Sequence, residues 1–251
     1  MVKISPLTGL WTNCMKKNWK IILIIFCCLF CWFGKKPLYQ FLWGEYTGRQ
    51  IEIGEEKFER FPENQPWDKA QIGGYDIEYV LRRKYSVKGR VVFVDWNDGV
   101  IKTWYHSAGR KNVKLYNAVA SVDLSIIHGE TAQDNNWKKI KFDHEERGLL
   151  WSYKYADNPI VNDYEINNNH VIPANLAIKK AIAILKVGDI VEIEGYLMDW
   201  KGTGKFSQFN IETAKEPGDI HEKILYGGRP GAGLCRQFYV TKITFDGYTF
   251  E

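Results

Sequence analysis

From Tyr75 onward the chain alternates between apolar and polar residues. Tyr75, Ile77, Tyr79 and Leu81 fall on one side and Asp76, Glu78 and Arg82 on the other, and the pattern resumes through Tyr85, Val87, Gly89, Val91 and Phe93. A period of two predicts two successive strands or one long bent strand, with a helix over residues 76–84 as the competing pattern. Asn97-Asp98-Gly99 reads as a tight turn into a strand at 100–105. Further strands are expected at 119–127, 138–143 and 149–155, and the Asn-rich stretch 157–169 reads as an ordered loop. One helix is written clearly. Pro173 opens it, Ile178, Ala181, Ile182 and Leu185 recur at helical spacing, and Gly188 follows its last turn. Lys179, Lys180 and Lys186 suit its polar face and C-terminal dipole. In the strand that follows, Val191, Ile193 and Leu197 face one way and Glu192, Glu194 and Tyr196 the other. Strands at 206–213 and 238–245 complete the pattern.

Near the N-terminus the pattern changes. Residues 21–33 are uninterruptedly apolar from Ile21 through Phe33, with Lys16, Lys17 and Lys20 before them and Lys35 and Lys36 after. As a helix this run spans about 20 Å, and Trp19, Gly34 and snorkelling lysines extend it toward the roughly 30 Å of a hydrocarbon core. A cleaved signal peptide would need a small-x-small site, but Trp-Phe-Gly-Lys-Lys follows. A lipoprotein anchor would need small residues before its cysteine, but Phe26 precedes Cys27 and Phe30 precedes Cys31. A buried core helix fits poorly with lysines at both ends. The expectation is a single transmembrane anchor, with the bilayer as its partner. A slight excess of lysine before it favours a cytoplasmic N-terminus and an external domain. Leu38, Phe41 and Leu42 recur at helical spacing just after it, so this stretch is expected to lie along the membrane surface.

The chain thus divides into a tail (1–20), an anchor (21–36), a juxtamembrane connector (37–74) broken by glycines and prolines, and a β-rich soluble domain (75–251). Several strands, one helix and more strands is the order of a small closed barrel. The helix followed by Gly188-Asp189 and the strand from Ile190 to Met198 resembles the helix and fourth strand of an OB-fold. The fold class expected is therefore mainly β, an OB-fold-like small barrel with one clear helix, plus an N-terminal transmembrane helix. A second resemblance rests on Asn168-Asn169-His170-Val171-Ile172-Pro173-Ala174 and Gly231-Ala232-Gly233-Leu234-Cys235, which are similar to segments of uncharacterised bacterial membrane-anchored proteins. It implies a bacterial inner-membrane protein and brings no activity with it; Arg236 departs from the acidic residue expected there.

Composition changes this picture little. The 251 residues are 45% hydrophobic and 25% charged with a net charge of +4, ordinary for a globular protein and too balanced to imply nucleic acid. Aromatics at 15% suit a β-rich core. Cys14, Cys27, Cys28 and Cys31 lie in or beside the apolar run, leaving Cys235 alone in the soluble part, so a disulfide scaffold is excluded there. The chain has no Asn-x-Ser/Thr acceptor.

The candidate chemistry is sparse. His106, His128, His144, His170 and Glu130 form no metal-binding motif, and Asp143-His144-Glu145-Glu146 reads as a solvated charged turn. His170 before Pro173 reads first as a loop anchor and second as a ligand or proton-transfer group. Ser107, Ser121, Ser125, Ser152 and Cys235 lack any base that sequence can pair with them, and Asp123 with Ser125 reads as the polar face of a half-buried strand. The glycine-rich stretch 227–233 lacks the ending of a nucleotide loop, leaving Arg229 and Arg236 as groups that could meet an anion. Tyr196, Trp200, Lys201, Lys205 and Phe206 could form an aromatic, basic platform for single strands, opposed by Glu192 and Glu194. The ligand-binding candidates are therefore His170, Tyr196, Trp200, Lys205, Arg229 and Arg236, with no catalytic residue, metal or cofactor expected. The leading expectation is a non-catalytic, membrane-anchored binding or assembly module whose partner is another envelope protein or an extended polymer. An OB-type single-strand binder is the alternative and an envelope hydrolase the third reading. The hydrolase would need His170 or His128 facing a carboxylate within hydrogen-bond reach.

Overall fold

The computed structural model describes residues 35–62, 64–97, 113–145, 148–153, 159–204, 207–211 and 234–251. The expected anchor at 21–33, the strand at 100–105, the glycine-rich stretch 227–233, Lys205 and Arg229 lie outside them. No helix among the described residues is long and apolar enough to cross a membrane.

The protein is mainly β. Twelve strands are described: β1 (Glu45–Arg49), β2 (Lys57–Arg60), β3 (Asp68–Ile72), β4 (Tyr75–Trp96), β5 (Val122–Ile127), β6 (Ile140–Glu145), β7 (Gly148–Tyr153), β8 (Ile166–Pro173), β9 (Ile190–Gly204), β10 (Ser207–Ile211), β11 (Leu234–Phe245) and β12 (Gly247–Phe250). Helices are few and short: α1 (Lys35–Trp43), α2 (Val113–Val119), α3 (Asp134–Trp137) and α4 (Leu176–Ile182). Ten strands share one sheet, and β6 and β7 form a separate hairpin. Pairing runs β4–β5–β8–β11–β9, and β9 pairs back onto β4; only the β8–β11 contact is parallel.

Of the readings open for 75–93, one long strand is observed: β4 runs 22 residues from Tyr75 to Trp96 and bends where its register shifts between Leu81 and Arg83 and between Val91 and Phe93. Other expectations change. The connector 37–74 carries α1 and three paired strands, β2 and β3 lying against β4 and β1 against β12. The helix starts later than Pro173, which still belongs to β8. Asn175 caps it by accepting a hydrogen bond from the Ile178 amide at 3.0 Å. The Asn-rich stretch is irregular through residues 159–162 and a 3-10 turn at Asp163–Glu165, as a loop would be, but from Ile166 it is the central strand β8. Asn168 Oδ1 accepts from Ser125 Oγ at 3.0 Å, and Asn169 Nδ2 donates to the Leu124 carbonyl at 3.1 Å, so side-chain bonds replace apolar packing along β8.

The main core includes Val87, Val91, Leu124, Ile193, Phe238 and Val240, and α4 contributes Ile178, Ala181 and Ile182. Glycine is required where strands cross closely. A Cβ at Gly195 would stand 2.1 Å from the Tyr239 carbonyl oxygen, and one at Gly89 2.2 Å from that of Ile127. In a second cluster, α2 packs Leu115 and Val119 against Ile77, Ile172, Met198 and Trp200. The β6–β7 hairpin packs Ile140, Leu149 and Trp151 against Val92, Ile127 and Ile166.

Candidate functional site

Strand register assembles one polar row. Asp95 on β4 pairs with Asp123 on β5, Asp123 with His170 on β8, and His170 with Gln237 on β11. Side chains two residues apart on a strand share a face, so Cys235 joins Gln237 on this side. Asp123, His170 and Gln237 are buried, while Cys235 is half-buried at the start of β11.

The contacts order this row chemically. His170 Nδ1 stands 2.6 Å from Asp123 Oδ1, and Asn97 Nδ2 donates to the other Asp123 oxygen at 2.9 Å. Asp123 is wholly shielded from water, so these partners carry what hydration would otherwise supply. On β11, next to His170, Cys235 lies with its sulfur 4.0 Å from Asn168 Nδ2. Tyr116 approaches the His170 ring edge-on at 5.7 Å. Gln237 Nε2 donates to the Tyr116 hydroxyl at 3.0 Å, and the Trp200 ring stacks on Tyr116 at 5.8 Å.

Two shifts describe where the proton resides. Burial alone would push His170 down. Against it, the Tyr116 phenol, the Asp123 carboxylate and the bonds to Asp123 and Cys235 together hold the imidazole well above its usual value. Burial likewise opposes a thiolate at Cys235, but His170 and Asn168 outweigh it and the thiol is lowered. Both directions favour an imidazolium beside a thiolate. An activated cysteine needs this environment: partly exposed, electropositive, with the base oriented by a third group.

His144 closes the site from the β6–β7 hairpin. Its ring stacks on Phe93 at 5.0 Å, with Nε2 3.5 Å from Asp123 Oδ2 and Nδ1 3.6 Å from Asp95 Oδ2. The stretch 143–146 was expected to be a solvated turn. Its described part is strand instead, and alternation turns His144 inward while Asp143 stays exposed.

The candidates read from sequence separate on the structure. His170 is at the centre. Trp200 is 0% exposed and donates from Nε1 to Gln237 at 3.2 Å, so it supports Tyr116 and offers no open ring face for a base. Tyr196 is half-buried and stacks on Phe61 at 6.0 Å. The anion that Arg236 meets is internal: its Nη2 donates to Glu56 at 3.1 Å. Asp123, Asn97, Tyr116 and His144 were not singled out as site residues by sequence, and Cys235 had no base to pair with. The order Asp123, His170, Cys235 along the chain carries no local motif. Among the described residues, no group of three or more His, Cys, Asp or Glu is disposed to hold a metal ion.

Comparison of the chain with protein-family models, with curated proteins and with solved structures finds no match in any of the three.

Proposed function

We propose that this chain is a membrane-tethered thiol enzyme of the acyl-transfer class, a hydrolase or transferase, built on an OB-like barrel. The observation that carries it is His170 bound to Asp123 at 2.6 Å, with Cys235 on the adjoining strand two residues from His170's register partner and on the same face. This is the arrangement of nucleophile, base and orienting carboxylate that acyl transfer uses on unrelated folds. The Cys235 thiolate attacks an acyl carbonyl carbon, forming a carbon–sulfur bond and a tetrahedral oxyanion. Collapse breaks the bond to the leaving group, which takes its proton from the His170 imidazolium. The now neutral imidazole deprotonates water, or an acceptor nucleophile, which attacks the thioester. The second collapse releases the acyl product and returns the thiolate and imidazolium. Asp123 keeps the ring in position and stabilises its charge throughout. Asn168 Nδ2 is a side-chain donor close to the sulfur, where an oxyanion would develop.

The OB-like part of the reading is supported by strand order. Numbering β4, β5, β8, β9 and β11 as first to fifth, the pairing is 1-2-3-5-4-1, the third and fifth strands are parallel, and α4 lies between the third and fourth. In that fold ligands bind over the second and third strands, beside the loops joining first to second and fourth to fifth. Asp123 and His170 sit on those two strands. This same position supports a second reading, in which the polar row binds a ligand without chemistry.

The full-length protein, kept in detergent or nanodiscs, tests the proposal with an activated acetyl ester followed by peptide mapping. The expected result is a single acetyl group on the peptide containing Cys235, abolished in Cys235→Ser and slowed at least ten-fold in His170→Ala. Acetylation that spares Cys235, or that is equally fast without His170, would favour the non-catalytic reading.

A further inference from the structure

Helix α1 is amphipathic in reverse. Its side toward the domain carries Gln40, which is buried, and Lys36, which pairs with Asp189 at 3.3 Å and with Asp246 and lies 5.2 Å over the Phe245 ring. Tyr39 on the same side lies beneath Lys180 at 5.0 Å. The residues left outside are apolar: Phe41 is 82% exposed and Leu42 56%, with Trp43 beside them. Tyr46 on β1, 70% exposed, extends the patch. A helix lying between a protein core and water distributes its residues the other way. Single exposed apolar side chains are ordinary, but three consecutive large ones with a fourth close by mark a surface that meets something other than water.

We infer that the surface formed by Phe41, Leu42, Trp43 and Tyr46 rests on a lipid bilayer, seated at the headgroup level. The occupant follows from the chain itself. In sequence only Gly34 separates Phe33, the end of the apolar run, from Lys35, where the described part of α1 starts. If the run lies in the bilayer, as proposed above and as this inference requires, α1 emerges at the interface with no linker to carry it away. Its outward chemistry fits that depth. Phenylalanine and leucine enter the acyl boundary, tryptophan and tyrosine prefer the interface, and Lys35 reaches the headgroups. The contact also fixes where the thiol stands. Phe245, under Lys36, is the last residue of β11, and Cys235 lies up to about 33 Å back along that strand. The thiol therefore belongs to the opposite end of β11 from the residue that Lys36 covers.

The test uses the full-length chain with Cys14, Cys27, Cys28, Cys31 and Cys235 replaced by Ser. A single cysteine, Leu42→Cys or Val187→Cys, carries an environment-sensitive fluorophore. Val187 is exposed and serves as the water-facing control. In nanodiscs of phosphatidylcholine with a minority of phosphatidylglycerol, position 42 should be blue-shifted. It should be quenched several-fold more than position 187 by lipids brominated high on their acyl chains, and several-fold less by aqueous iodide. Protein that enters nanodiscs but leaves position 42 as wet as 187 overturns the docking alone. A dry position 42 that brominated lipid does not quench also overturns it, and assigns the cover to protein, either residues 1–34 or a second copy. Protein that purifies free of lipid and detergent overturns the anchor reading, and the docking with it.

Discussion

Alanine in place of Glu56 is expected to cost about 3–5 kcal/mol of stability, which is the scale for removing one partner of a buried ion pair. Glu56 reaches in from the segment between β1 and β2 to three partners. Arg236 Nη2 donates to one carboxylate oxygen at 3.1 Å; the Tyr85 hydroxyl and Asn167 Nδ2 both donate to the other. Arg236 is 0% exposed, its guanidinium lying 5.1 Å over Phe58 and 5.4 Å over Tyr85. Losing Glu56 removes this carboxylate from a guanidinium that is fully buried. Burial, and secondarily the Glu56 charge, also holds the Tyr85 phenol well above its ordinary range, so it stays a donor at every working pH. For a domain of this size such a loss lowers Tm by roughly 6–20 °C. Thermal unfolding of Glu56→Ala, Arg236→Met and the double variant separates charge from packing. The double variant should recover most of the loss. Equal, additive losses would mean that the two side chains do not act as a pair.

Asp123→Asn is expected to leave the fold standing and to slow acylation of Cys235 by up to about 10⁴-fold, the effect of the equivalent change in a serine triad. The amide keeps the shape of the carboxylate and can still accept from Asn97, so the cost falls on His170. Without the Asp123 charge the imidazolium loses a stabilising partner, and the thiolate loses the imidazolium. The signs follow from the two shifts. His170 is held above its ordinary value, so its charged form contributes stability that is fully present below the ordinary imidazole range and lost as pH rises through the folded value. Cys235 is held below its own, so its thiolate contributes stability above the ordinary thiol range that is lost as pH falls through the folded value. Asp123→Asn should weaken both. An unchanged acylation rate with a normal fold would remove Asp123 from the site's chemistry.

What was legible in the sequence followed local period. The apolar spacing of Ile178, Ala181 and Ile182 gave α4, and Val191, Ile193 and Leu197 gave the core face of β9. Strand β8 was hidden because asparagines stand where period two calls for apolar residues. Asn167 and Asn169 donate from their amide nitrogens to Glu56 and to the Leu124 carbonyl, which sequence cannot foresee. The last hairpin carried a signal that went unused. Asp246 and Gly247, at φ of 50° and 77°, form a two-residue turn that joins β11 to β12, and Asp-Gly is a characteristic pair for it. His144 was masked by its acidic neighbours, whose density suggested a solvated turn. The row Asp123, His170, Cys235 is non-local. It exists only because β8 lies between β5 and β11 in a particular register, and that register is set by strands distant in sequence.

The most direct measurement is the rate at which iodoacetamide alkylates Cys235 in the full-length protein as pH is varied, read on its peptide, with His170→Ala beside the wild type. An imidazolium-paired thiolate predicts rapid alkylation well below the ordinary thiol range. His170→Ala should shift that profile upward and slow alkylation at least ten-fold at neutral pH, with the two proteins converging in alkali. A wild-type profile that rises only where a free cysteine ionises, and that His170→Ala leaves in place, would contradict the thiolate–imidazolium pair.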